Sequence, residues 1–320
     1  MEFRLDFGNW VSSAIDWAVA NLGWFFDALS SIYLGLYDVF AWIFNTPPPL
    51  AIIIVLALLA LVARGPKFGI GTAVGLLFIL SVNQWGNAMD SLSLVIVSAL
   101  LGVIIAIPLG ILAARNDTVS AILKPIMDFL QTMPAFVYLI PALALLGIGV
   151  APGIFSTILF ALAPGVRLTE LGIRSVDKEV VEAGQAFGAA PSRILRQIQL
   201  PLAMPSIMAG INQVIMLSLS MIVIAGLVGA GGLGGAIAQS LGQLDTSLGA
   251  EAGMSVVVIA IILDRFTGAF GNKRAKSLMS GLVNLLPGGA GEGPDESAEG
   301  KDTDQVVVEN RATRAAGGSA

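Results

Sequence analysis

Apolar residues run along this chain in seven stretches, at about 49–63, 68–83, 92–113, 133–150, 153–166, 206–228 and 252–264. Roughly 20 predominantly apolar residues carry a helix across the hydrocarbon core of a bilayer. The pattern predicts an all-α polytopic bundle of about seven transmembrane helices, some of whose runs fall short of that length. The polar gaps give an independent check. Arg64 and Lys67 lie between the first and second runs, Arg115 and Lys124 between the third and fourth, Arg167 to Arg196 between the fifth and sixth, and Arg265 to Lys276 after the seventh. The intervening gaps (83–91, 151–152, 229–251) hold no Lys or Arg. Basic loops stay cytoplasmic, so the C-terminus is expected inside and, after seven crossings, the N-terminus outside.

The two ends break the pattern. Residues 1–46 place Trp10, Trp17 and Trp24 seven apart and Asp16, Asp27 and Asp38 eleven apart. Such a segment reads as an amphipathic helix at the headgroup boundary, which Trp and Tyr favour. The alternative is a further transmembrane helix, which would have to take three aspartates into lipid at about 2.5 to 3.5 kcal/mol each. Pro47-Pro48-Pro49 ends the segment, since proline removes donors and fixes φ. Beyond Leu286, residues 287–320 are rich in Gly, Ala and acid with almost no large apolar side chains, and are expected to form a disordered cytoplasmic tail. Three parts follow: 1–46, a membrane domain over 47–286, and the tail.

Composition agrees, with 56% hydrophobic and 12% charged residues; a soluble domain carries about 25% charged. The net charge of −5 comes from the ends. Residues 1–46 hold five acids against Arg4, residues 288–320 hold seven against three basic residues, and the part between has a balance of +3. With no Cys and no His, there are no disulfides, no thiolate or imidazole metal sites and no Cys or His catalysis. No catalytic residue, metal site or bound cofactor is expected, and no nucleic-acid partner. The N-terminus MEFRLDFGNW lacks the features of a signal peptide.

The stretch Arg167 to Pro205 is a polar, helix-forming insertion among short loops. A first helix is predicted from Asp177 to Phe187, with Asp177 as N-cap and Glu179 and Glu182 in the early turns, where acid favours the helix dipole. Gly188 permits a sharp change of direction. Pro191 opens a second helix that carries Arg193 and Arg196 and stops before Pro201. Ile194, Leu195 and Ile198 give that second helix an apolar face in the cytosol, as if built for another protein to grip.

Those residues carry a resemblance. Glu182-Ala183-Gly184, then Gly188-Ala189, then Ile198, Leu200 and Pro201 match the spacing of the EAA loop of permease subunits of bacterial binding-protein-dependent ABC importers; the one departure is Gly184 where Ala is usual. QTMPAFVYLIPALALLGIGVAPG (131–153), RLTELGIRSV (167–176) and QLPLAMPSIMAGINQVIMLSLSMIVIAGLVGAGGLG (199–234) resemble the glycine betaine/L-proline (ProW-type) permeases. The resemblance implies a type I, MetI-like bundle, paired with a second copy in a bacterial inner membrane. It also implies a separate cytoplasmic ATPase that holds ATP and Mg and grips the EAA loop, and a periplasmic protein that delivers glycine betaine, proline betaine, L-proline, choline or carnitine. The coupling element would then be Glu182, Ala183, Gly184, Gly188, Ala189, Arg193, Ile198, Leu200 and Pro201. Arg193 and Arg196 would pair with acids on the ATPase or meet anionic lipid.

Candidate pathway or gate residues are Phe136, Tyr138, Met216, Gly229, Gly231 and Gly232. The two aromatics have faces suited to a quaternary ammonium through cation–π attraction; packing is the alternative for them and for Met216. The glycines belong to GLVGAGGLGGAI (226–237), which matches G-x-G-x-x-G. A dinucleotide fingerprint follows a strand and opens a helix; this one follows an apolar helix, and reads as a close-packed outer rim leading into a short helix at 236–244. An ion-coupled carrier or channel remains the alternative function. It would commonly hold an ionisable residue at mid-membrane depth, and every such residue here sits at a segment end or in a loop.

Overall fold

The computed structural model describes residues 6–270; the predicted acidic tail lies outside them. Twelve α-helices occur among the described residues, and no strand. The first, α1 (Phe7–Asn45), is followed by α2 (Pro49–Arg64), α3 (Pro66–Ser81), α4 (Trp85–Arg115) and α5 (Asp117–Thr132). A 3-10 turn (Ala135–Tyr138) leads into α6 (Leu139–Leu146), then α7 (Val150–Arg174), α8 (Lys178–Ala186), α9 (Pro191–Ile194), a π turn (Leu195–Gln199), α10 (Leu200–Gly226), α11 (Gly232–Gln243) and α12 (Thr246–Phe270).

The centre is built from α4, α7 and α10, with α7 between the other two. Its residues are small. A Cβ at Gly165 would lie 2.8 Å from Ala106 Cβ and 2.9 Å from a Val214 methyl, so only glycine lets the three helices close up, the device membrane helices use in place of hydrophobic collapse. Ser93, Ser156, Thr157 and Ser218 are buried and satisfied by donating to carbonyls of their own helices. Large apolar side chains such as Ile54, Leu58, Ile70, Ile104 and Ile122 face outward, as lipid requires.

Among the described residues, four helical stretches are long and apolar enough to cross a membrane: α4, α7, α9 through α10, and α12. The run at 133–150 departs from expectation, because it is no single helix. Pro134 holds Met133 extended, so the run splits into the 3-10 turn and the eight-residue α6, bent 110° from α5. Together α5 and the stretch Ala135–Leu146 are apolar enough for one broken span or a re-entrant loop. The hairpin of α2 and α3 turns on Gly65 alone, and each arm has 16 residues, about 24 Å at 1.5 Å per residue.

Helix α1 is one helix of 39 residues. Its first half is exposed, including Trp10, Trp17 and Trp24; its second half lays Tyr33, Leu36, Tyr37 and Phe40 over Leu94, Val97, Ile154 and Ile158. It ends where Asn45 Nδ2 donates to Asp90 Oδ1 at 2.8 Å, and α2 departs at 99°.

Candidate functional site

At one end of the bundle the connection between α7 and α10 forms the predicted hairpin, with altered limits. Helix α7 runs on to Arg174, so Arg167 belongs to it and the free hairpin begins at Ser175. Asp177 caps α8, its Oδ1 accepting from the Glu179 N–H at 3.0 Å. The end of α8 is a Schellman motif: Ala189 N donates to Gly184 O at 3.1 Å and Gly188 N to Gln185 O at 2.8 Å, with Gly188 left-handed at φ +74°. Gly188 is therefore the required turn residue, and Pro191 opens α9 as expected.

Two expectations need correction. The second helix does not stop before Pro201. Its ladder widens into the π turn at Leu195–Gln199, where Leu200 N reaches back to Leu195 O, and continues as α10; Pro191 to Gly226 is continuous over 36 residues. The wide turn accommodates Pro201, which has no N–H to offer. Nor does the second helix display an apolar face. Ile194 and Leu195 are buried, Leu195 among Ile173, Val176, Ala203 and Ile207, and Ile198 is half-buried. These side chains seat the hairpin on its own bundle.

The apolar stripe that faces outward lies on α8. Val180, Ala183 and Phe187 recur at helical spacing and are exposed, Phe187 by 92% at the hairpin tip. Sequence reasoning passed over Phe187. The 180-183-187 spacing is the signal that could have found it. Glu182, Arg193, Arg196 and Pro201 are exposed, Leu200 and Ala189 half-buried. Gly184 is where the hairpin arms cross, since a Cβ there would meet Ile198 Cδ1 at 2.8 Å. A cavity of about 250 Å³ beneath α8 is lined by Arg174, Lys178, Val181, Glu182 and Gln199, among others.

At the opposite end lies the glycine turn. Gly229, Gly231 and Gly232 all have positive φ (85°, 73°, 61°), so the turn needs glycine for its backbone. Helix α11 starts at Gly232, earlier than expected, and Ser91 of α4 supplies the cap that Gly231 lacks: its Oγ accepts from the buried Leu233 N–H at 2.8 Å. Gly226 and Gly234 touch backbone to backbone; a Cβ on Gly226 would stand 2.0 Å from the Gly234 carbonyl carbon. The turn also closes onto α7, where Gly149 N donates to Val228 O at 3.1 Å.

The candidate pathway aromatics are not brought together. Phe136 is 55% exposed and lines an apolar groove with Val137, Ile140, Leu143, Leu227 and Val228. Tyr138 is buried; its O–H donates to the Leu130 carbonyl and its ring meets Phe160 edge-on at 6.0 Å, so it pins the bend between α5 and α6. Met216 is exposed on α10, in line with Gln213 and Ser220.

Comparison with known proteins decides what this geometry serves. A family described as "Binding-protein-dependent transport system inner membrane component" matches residues 106–276. The chain belongs to this family. The permease is 45% identical to the glycine betaine/carnitine transport permease GbuB of Listeria monocytogenes, over 84% of this chain and 96% of that protein. It is 43% identical to the glycine betaine/proline betaine permease ProW of Escherichia coli, over 82% and 74%, and 39% identical to the glycine betaine permease OpuAB of Bacillus subtilis, over 82% and 94%. In fold it is similar to a chain of the inward-facing MetNI methionine ABC transporter, with a TM-score of 0.50 at 24% identity over 60% of this chain and 94% of that one. The permease is thus a multi-pass inner-membrane transport subunit with an ATPase and a substrate-binding protein as partners, and the ion-coupled carrier is not favoured.

Proposed function

We propose that this permease forms the membrane pathway of an ATP-driven importer of glycine betaine and related osmoprotectants. The observation that carries the reading is the identity of 39 to 45% to three permeases each named for glycine betaine; relatives named for trimethylamine N-oxide, choline or carnitine alone stand lower, at 31 to 37%. L-proline, choline and carnitine belong to the same reading as secondary substrates.

The ATPase, which holds ATP and Mg, receives the α8 stripe of Val180, Ala183 and Phe187 in a groove, with Arg193 and Arg196 toward its acids or toward lipid headgroups. A second copy of the permease completes the pathway. In its support, Gln213 exposes an amide beside Met216 on the outward side of α10, an unfavourable arrangement toward lipid. The glycine turn at 229–232 forms the outer rim under the binding protein. The basic end of the bundle is cytoplasmic and the N-terminus outside; the 99° bend after α1 suits a helix lying in the outer interface. The acidic tail is dispensable for transport.

Reconstitution tests the reading. The chain with its ATPase and binding protein, in vesicles, should take up labelled glycine betaine only with ATP. Uptake by the lone chain driven by a sodium or proton gradient would overturn it.

A further inference from the structure

Helix α5 meets the last turns of α7 through three polar contacts in antiparallel order. Asp117 faces Arg174, Ser120 faces Glu170, and Asp128 pairs with Arg167. Asp128 and Arg167 are partly exposed, but Glu170 is buried, 7% exposed. Its Oε1 accepts from Ser120 Oγ at 2.6 Å and from Arg174 Nε at 2.9 Å. The same guanidinium donates through Nη2 to the Ala113 carbonyl at 2.8 Å and lies 2.8 Å from Asp117 Oδ1 through Nη1. One arginine thus ties the ends of α4, α5 and α7 together.

A buried carboxylate is unfavourable unless its partners are all in place, and static packing does not need one. One turn further into the membrane, α5 is held by Leu123, Met127 and Leu130 against Ala106, Leu162, Ala163 and Val166. What the polar knot adds is direction, because a planar fork engages its acceptors only in a narrow geometry.

Its place gives the direction a use. Arg174 is the last residue of α7, and the next residue begins the hairpin. It also lines the cavity beneath α8, beside Lys178 and Glu182. At its far end α5 runs into the 110° bend pinned by Tyr138, and from there to Phe136 in the outer apolar groove. We propose that Arg174 is a positioning residue that passes movement of the hairpin to α5, and through the bend to the Phe136–Leu227 groove. It is a second line of coupling beside the continuous α9–α10 helix. The proposal rests on the importer reading above.

The test uses the full complex in vesicles, comparing wild type with Arg174→Ala, Arg174→Lys and Ser120→Ala. Uptake and ATP hydrolysis are read together, with amide hydrogen exchange of α5 and α8 on the same complex. Arg174→Ala, which removes all three contacts, should raise ATP hydrolysed per betaine imported at least about tenfold, the factor that a single charge-assisted hydrogen bond represents. Arg174→Lys should recover part of the loss, since an ammonium keeps the charge but not the fork, and Ser120→Ala should shift the ratio the same way by less. Exchange should quicken in α5 and stay unchanged in α8. An unchanged ratio, a proportional fall of uptake and hydrolysis, or α5 exchange at the wild-type rate in Arg174→Ala would overturn the proposal. A wild-type complex that hydrolyses ATP without importing betaine would instead overturn the substrate reading alone, because the exchange comparison does not depend on the solute.

Discussion

Gly226→Ala is the sharpest test of the glycine turn at 229–232. The added methyl would stand 2.0 Å from the Gly234 carbonyl carbon, 2.4 Å from its oxygen and 2.5 Å from its Cα, all backbone atoms, whereas ordinary contact begins near 3.4 Å. Helix α11 must therefore back away from α10 by about 1.4 Å, and no side-chain rotation can absorb the shift. Overpacking costs about 1 to 3 kcal/mol where side chains can yield, so a backbone clash belongs at the upper end. The gain in helix propensity offsets only about 0.5 to 1 kcal/mol of that. At roughly 2 to 4 °C per kcal/mol for a chain of this size, the melting temperature of the purified permease should drop by about 5 to 10 °C. Gly235→Ala is the control, because its Cβ meets nothing within 4 Å; it should melt at or slightly above the wild-type temperature. If both variants melt within 2 °C of wild type, roughly the precision of one such kcal/mol step, the close approach of Gly226 and Gly234 is not part of the folded protein.

Three further outcomes follow from the hairpin. Gly188→Val places a β-branched residue at φ +74°, where left-handed backbone costs about 1 to 2 kcal/mol even for less hindered residues; it should uncouple ATP hydrolysis from uptake, while Gly188→Asn, which tolerates that conformation, should transport. Gly184→Ala should be neutral or slightly stabilising in a thermal melt, because the one tight contact of its methyl is the end of the flexible Ile198 side chain, with Ile194 at an ordinary 3.5 Å. A drop of more than about 1 kcal/mol, in the range of overpacking, would mean that Ile198 cannot move. Phe187→Ala should weaken retention of the ATPase on the immobilised permease by at least tenfold, since burying a Phe is worth about 1.5 to 3 kcal/mol. Unchanged retention would remove the hairpin tip from the docking face.

The parts of the molecule legible in its sequence are those set by local chemistry. Asp177 before Glu179, Gly188 after Phe187 and Pro191 at a helix start specify caps and turns within a few residues, and each forms as read. The rest depends on partners distant in the chain. Ile194 and Leu195 read as an exposed face because nothing nearby covers them, yet Ile173 and Ala203 do. The apolar run at 133–150 conceals a break because hydropathy is blind to backbone direction; Pro134 was the only mark of it. Arg174 and Glu170 read as part of a polar loop, and only the fold brings Ser120 and Asp117 to them.

The π turn at Leu195–Gln199 gives the hairpin a mechanical property that a loop could not. With no break from Pro191 to Gly226, 36 residues make a rod of about 54 Å at 1.5 Å per residue. One end of the rod sits in the hairpin and the other abuts Gly234 at the glycine turn. Between the hairpin and the glycine turn the chain passes through no loop. The widened turn and the interior Pro205, which has no N–H for the helix ladder, are the places where the rod can take up slack. Transport by such a molecule should tolerate changes in the length of loops far better than a one-residue insertion in α10, which would rotate the rim by about 100° and leave Gly226 facing away from Gly234.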